Sequence, residues 1–224
     1  MTADDWLRHV IEIVCEGLDF AEAQQWRRRI DAELLRSTGT KTLSVVHDWH
    51  SHSLGPMLIE ASARWAESAQ AQEALRTLHT RASAGEPIAE TEWAGALEPA
   101  LRQIYRHAYP YAQAYTAASA DASSYATAHG YAEAEATRFG DSYAEMHTDA
   151  NARVYAEANA AANAMATAAA FAAGDVHAYA ATYPFARIRA IVLACAGDDA
   201  ARLSTMWNRV GAGLSDSLAR ADCH

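Results

Sequence analysis

Residues 45–55 read VVHDWHSHSLG and set His47, Asp48, His50 and His52 close together. Imidazole can ligate a metal, move a proton near neutral pH, or serve as a buried hydrogen-bonding group. Spacing narrows the choice. On a regular helix each residue turns about 100°, so His50 falls about 60° from His47. His52 and Asp48 turn to the other side as an i,i+4 pair. The cluster therefore does not converge on one ion. His47 and His50 supply at most two ligands, and other helices would have to complete a site, as in bundle-core metal centres. No HExxH, CxxC, EF-hand loop, P-loop, GxGxxG or GxSxG pattern occurs. No metal is assigned, and any cofactor is left unknown.

Acid/base chemistry fits the residue types better. His50 lies on the apolar face with Val46, Trp49 and Leu54, and His47 lies at its edge. A titratable group on an apolar face is where a pKa shifts. His50 is the candidate base, and His47 or Glu60, just past Gly55-Pro56, would orient it. Tyr143 and His147 form the second candidate pair, on an apolar seam in the later half of the chain. The competing reading makes His50 a core histidine satisfied by a hydrogen bond. Arg102 and His107 have an Arg-x4-His spacing, but two fixed positions identify no family.

These residues must be placed by helices. Apolar residues recur at helical spacing in residues 3–18, and Asp19 with Glu22 can begin a second helix that "STG" (37–39) ends. A third helix runs to about residue 54, where Gly55-Pro56 stops or kinks it. A fourth carries Leu58, Trp65, Leu75 and Leu78, and a fifth carries Trp93, Leu97, Leu101 and Ile104. From Pro110 to Pro184 alanine dominates. There Ala132, Ala136, Phe139, Tyr143, Met146, Ala150 and Val154 make a seam with spacings of four and three. Breaks are expected at Gly130 and at Gly174-Asp175, and Gly140 is a weaker candidate. A twelve-residue echo of tyrosines would instead stack in a β-solenoid, but alanine favours helix and is depleted in strands. The expected architecture is all-α, a multi-helix bundle of about eight or nine helices with an alanine-rich C-terminal half. Residues 1–224 form a single helical domain in this reading, with ordinary amphipathic helices over 1–109. Residues 110–224 carry alanine- and tyrosine-rich helices and a C-terminal amphipathic helix.

Composition excludes several classes. The chain has 224 residues, 51% hydrophobic and 21% charged, enough to bury a core. Net charge is −10, which opposes binding to phosphate backbones. The one dense basic run, "WRRRI" (26–30), spreads around a helix, so no nucleic-acid partner is expected. No apolar run approaches the roughly 18 residues of a membrane span, so no membrane partner is expected. The start "MTADDWLRHV" lacks a secretory pattern, and three scattered cysteines make no disulfide framework, so the expected setting is cytoplasmic. Alanine is about a quarter of the chain and Lys41 is the only lysine, a composition of GC-rich coding sequence.

Two functions remain open, and enzymatic activity is itself undecided. One is an enzyme tailoring a small molecule or peptide in specialised metabolism, with acid/base groups in an inter-helix pocket. The other is a non-catalytic helical module for oligomerisation or partner binding. A homo-oligomer is expected; in the module reading the alanine seam packs against a second chain, whereas a seam satisfied within one chain makes the pocket plausible.

Overall fold

The computed structural model describes residues 5–36, 43–108 and 111–221. It is all-α, 87% helical, with no strand among the described residues. The helices are α1 (Asp5–Gly17), α2 (Phe20–Arg36), α3 (Leu43–Trp49), α4 (Gly55–Arg64), α5 (Gln70–Ser83) and α6 (Glu90–Ala108). There follow α7 (Tyr111–Ala128), α8 (Glu133–Ala173), α9 (Val176–Ala180), α10 (Pro184–Ala196) and α11 (Ala200–Ala221). A π-helical turn, His50–Leu54, joins α3 to α4. No helix among the described residues is long and apolar enough to cross a membrane.

Among the described residues eleven helices form, more than the eight or nine expected, for local reasons. Residues expected to form one helix after Pro56 form two. The Trp65 indole donates to the Ala194 carbonyl at 3.1 Å, and Ala66 turns the chain with φ +54°. The five-residue α9 is cut off by Gly174, which ends α8 in the left-handed region at φ +62°. Asp175 then accepts from the N–H groups of His177 and Ala178, a side-chain cap of the next helix. Gly130 breaks the chain as expected, with φ +86°. Gly140 does not, and α8 runs through it for 41 residues, about 60 Å. The "STG" stop lies outside the described residues. Asp19 accepts from the Glu22 N–H at 2.9 Å, as the capping pattern anticipates.

A contiguous core runs from Trp6 on α1 to Leu218 on α11. The C-terminal part of α8 enters it through Ala160, Ala164, Ala168, Ala170 and Phe171. The N-terminal part does not. There α8 pairs with α7 through small residues, with Ala122, Ala126, Ala136 and Ala144 buried apart from the main core. At Gly140 the helices are so close that a methyl group would collide with Ser123 Oγ and the Ser119 carbonyl. The packing face is thus Ala136, Gly140, Ala144 and Thr148. Of the expected seam, Phe139, Tyr143, Met146 and Val154 are exposed, at 39%, 37%, 71% and 64%, while Ala150 lies outside the described side chains. Small residues win the interface because they let two backbones approach, and the large side chains are turned outward.

Candidate functional site

The "HDWHSHSLGP" segment is not a regular helix. Pro56 has no N–H, so the carbonyl that it would otherwise serve is left without a helical donor. The chain answers with a wide turn in which Gly55 N–H bonds to the His50 carbonyl, five residues back. The Ser51 carbonyl accepts instead from Arg76 Nε at 2.9 Å, and Ser51 Oγ meets Thr80 Oγ1 at 2.6 Å. Both partners are on α5. Gly55 permits this docking, since a Cβ there would sit 2.8 Å from the His50 carbonyl and 3.0 Å from Arg76 Cγ. Such π-helical turns occur often at functional sites.

The turn directs His50 into the core beside His47 and beside His79, which comes from α5. His47 Nδ1 and His79 Nδ1 stand 3.0 Å apart. The His50 and His79 rings stack at 4.3 Å with 12° between planes. Trp93 of α6 stacks on His47 at 5.4 Å. Phe171 of α8 meets His47 edge-on at 4.8 Å and stacks with Tyr179 of α9 at 5.3 Å. Trp6 of α1 closes the group, 5.8 Å from Tyr179.

One full charge is buried near enough to act on His50, His79 and Tyr179. Arg187, in the first turn of α10, is 4% exposed. Its Nη2 donates to Thr167 Oγ1 at 2.6 Å and to Thr182 Oγ1 at 3.2 Å. Thr182 sits in the turn before α10, next to Tyr183, whose φ of +53° is in the left-handed region. Arg187 Nε, Trp6 Nε1, His50 Nε2 and His79 Nε2 are all buried with no hydrogen-bond partner.

Burial sets the protonation. It pushes the His47 pKa down to about 4. Burial, with the charges of Arg187 and His47, takes His50 to about 3. Burial, then His50, His47 and Arg187, drives His79 well below the usual imidazole range. Burial raises the Tyr179 phenol to about 12, while Arg187 opposes that shift. At neutral pH the cluster is three neutral imidazoles, a neutral phenol and one guanidinium. Among the described residues no three His, Cys, Asp or Glu side chains are placed to hold a metal ion.

Of the residues singled out in the sequence, His47 and His50 come together here. Glu60 does not join them: it is on the surface, bound to Arg209 through both carboxylate oxygens at 2.7 and 2.9 Å. That ion pair holds its carboxyl below the usual range. Tyr143 and His147 do meet, with ring centroids 4.5 Å apart, but on the exposed face of α8. His52 and Asp48 form the expected i,i+4 pair at 3.0 Å, and Arg220 also holds Asp48. Cys195 is buried, its thiol pushed up to about 12 by burial, whereas Cys15 is half-buried.

Sequence reasoning missed His79, Tyr179 and Arg187. A signal existed for His79: it lies one turn after Leu75 and beside Leu78, on the inward face of its helix. Arg187 likewise lies one turn before Ile191, which is buried. Nothing in the sequence says that α5 and α10 meet the His47–His50 segment.

Comparison of the chain with protein-family models, with curated proteins and with solved structures finds no match, so its function is argued from this site.

Proposed function

We propose that this protein is a tailoring enzyme that holds a small molecule among His47, His50, His79 and Arg187 and moves protons on it. One observation carries the reading: His50 Nε2, His79 Nε2 and Arg187 Nε are all buried without a hydrogen-bond partner, the two imidazoles are stacked, and the charge of Arg187 acts on both. Buried polar groups are nearly always paired, and leaving several unpaired together is unfavourable unless a ligand completes them. A neutral imidazole can accept a proton, although burial makes these weaker bases than a free histidine. A proton taken at His79 Nε2 has an exit, because His79 Nδ1 faces His47 Nδ1 across 3.0 Å. His79 thereby takes the place beside His50 that Glu60 was expected to fill, and His47 keeps its orienting role.

The test is turnover and binding together. Wild-type and His79→Gln proteins are incubated with a polar metabolite extract and followed by untargeted mass spectrometry, with native mass spectrometry for retained ligands. A metabolite consumed or retained by wild type and not by the variant supports the reading. No consumption and no retained molecule in either sinks it.

A second reading has its own observation. Phe139, Tyr143, Met146 and Val154 give α8 an exposed apolar stripe, continued by the Phe139–Tyr143 ring contact at 6.5 Å. We propose that this stripe joins two copies of the chain, which keeps the homo-oligomer expectation. Light scattering of wild type against Tyr143→Glu/Met146→Glu tests it. A dimer that becomes a monomer supports it, and a monomeric wild type removes it.

A further inference from the structure

We propose that the ligand of the core site is a carboxylate whose negative charge is met by Arg187, an inference that rests on the small-molecule reading above. The first argument is charge balance. Arg187 is buried, and its only acceptors among the described residues are two threonine hydroxyls, both on Nη2. Arginines at the surface of this chain meet carboxylates: Arg189 has Glu16, Arg209 has Glu60 and Arg220 has Asp48. Arg187, the one for which a counter-charge matters most, meets none among the described residues. No carboxylate is among the charges acting on His50, His79 or Tyr179, and all three feel Arg187. An isolated charge in a protein interior is strongly unfavourable unless paired.

The second argument is hydrogen-bond type. Indole Nε1 and guanidinium Nε are donors in every protonation state. Trp6 Nε1 and Arg187 Nε are both buried without an acceptor. His50 Nε2 becomes a donor too in the appropriate tautomer. A ligand fitting this set must be rich in acceptors and poor in donors. An ionised carboxylate has about four lone-pair sites and no hydrogen, and its planar pair of oxygens suits a guanidinium. An amine would add donors and a repelled charge. A phosphate dianion would bring more negative charge than Arg187 balances, because the imidazoles are neutral at pH 7.

The full chain tests this directly in chloride-free buffer at constant ionic strength. Formate, acetate, propionate and benzoate are titrated beside formamide, acetamide, propionamide and benzamide. The readouts are the melting temperature and the long-range ¹H–¹⁵N spectrum of the imidazoles, assigned with His50→Gln and His79→Gln. At least one carboxylate should raise Tm and move the His50 and His79 resonances while its amide does neither. Arg187→Gln should weaken that binding roughly 10- to 100-fold, as loss of a charged hydrogen-bond partner does. Arg189→Gln, exposed two residues on, should leave it unchanged. If Arg187→Gln does not fold, the wild-type imidazole spectra decide alone. Amides moving the same resonances as strongly as carboxylates would overturn the carboxylate and leave the small-molecule site standing. Imidazoles that no carboxylate and no amide moves would overturn both.

Discussion

His47 Nδ1 lies 3.0 Å from His79 Nδ1, in the core, and among the described residues no carboxylate charge acts on either ring. One nitrogen must donate and the other accept, so the two rings hold opposite tautomers. Two imidazolium ions cannot share this geometry, since both facing nitrogens would carry hydrogens. Protonating both rings must therefore break this bond.

Acid should destabilise the fold, and the sign follows from burial. All three histidines have folded pKa values below the unfolded value of 6.5, His47 at about 4 and His50 at about 3. Between those values and 6.5 the unfolded chain binds more protons than the folded one, so stability falls as pH falls. It is fully present above about pH 6.5 and is lost on descending toward pH 4 and 3. Each histidine adds a slope of about 1.4 kcal/mol per pH unit inside that window. Among the described residues, the charged group outside the trio that acts on His50 and His79 is Arg187 of α10; α6 and α8 set Trp93 and Phe171 against His47 and His79. Urea midpoints from pH 7.5 to 4.5 check this, and a flat profile would show the histidines to be hydrated.

Replacing two neighbouring histidines should give different results. His79→Leu leaves His47 Nδ1 without its partner and should cost about 1–3 kcal/mol at pH 7.5. His50→Leu removes an Nε2 that has no partner and should change stability by less than about 1 kcal/mol. Chemical denaturation of both variants decides. Equal losses would mean that the His47–His79 bond is not made in solution.

Gly140→Val should open the α7–α8 pair. Alanine or valine ordinarily helps a helix relative to glycine, but here the added carbon meets Ser123 and the Ser119 carbonyl. Overpacking of this kind costs roughly 1–3 kcal/mol. Hydrogen exchange should quicken in α7 and the first half of α8 while α5 and α6 keep their protection. Unchanged exchange in α7 would show that the close approach is not real.

Glu60→Gln should leave ligand binding and turnover alone. Its carboxylate is 55% exposed at the side chain and is held by Arg209. An exposed ion pair contributes about 0–1 kcal/mol, so melting should shift by a few degrees at most. A loss of activity in this variant would restore Glu60 to the site.

Ala66→Gly should stabilise. Ala66 sits at φ +54°, where an L side chain costs roughly 1–2 kcal/mol and glycine does not. After glycine's extra unfolded entropy, a gain of about 0.5–1 kcal/mol is expected, read as a higher urea midpoint.

Helix content was legible because it is local. Alanine propensity, apolar spacing in residues 5–36 and 90–108, and glycines at 130 and 174 each act through near neighbours in the chain. The burial of His50 was legible for the same reason: its helical phase matches Val46, Trp49 and Leu54. The α8 seam was misjudged because size and spacing together nominate Phe139, Tyr143 and Met146. The choice of face was made by backbone approach at Gly140, which depends on α7.

By itself the sequence determined that the chain is helical, acidic and able to bury His47 and His50. Tertiary structure alone decided that His79 joins them, that the buried charge of Arg187 acts on His50 and His79, and that Glu60 stays on the surface with Arg209. Helical phase is set by residues three and four apart. The company a side chain keeps in the core is set by which helices cross, and here that brings together residues 173 positions apart (Trp6 to Tyr179).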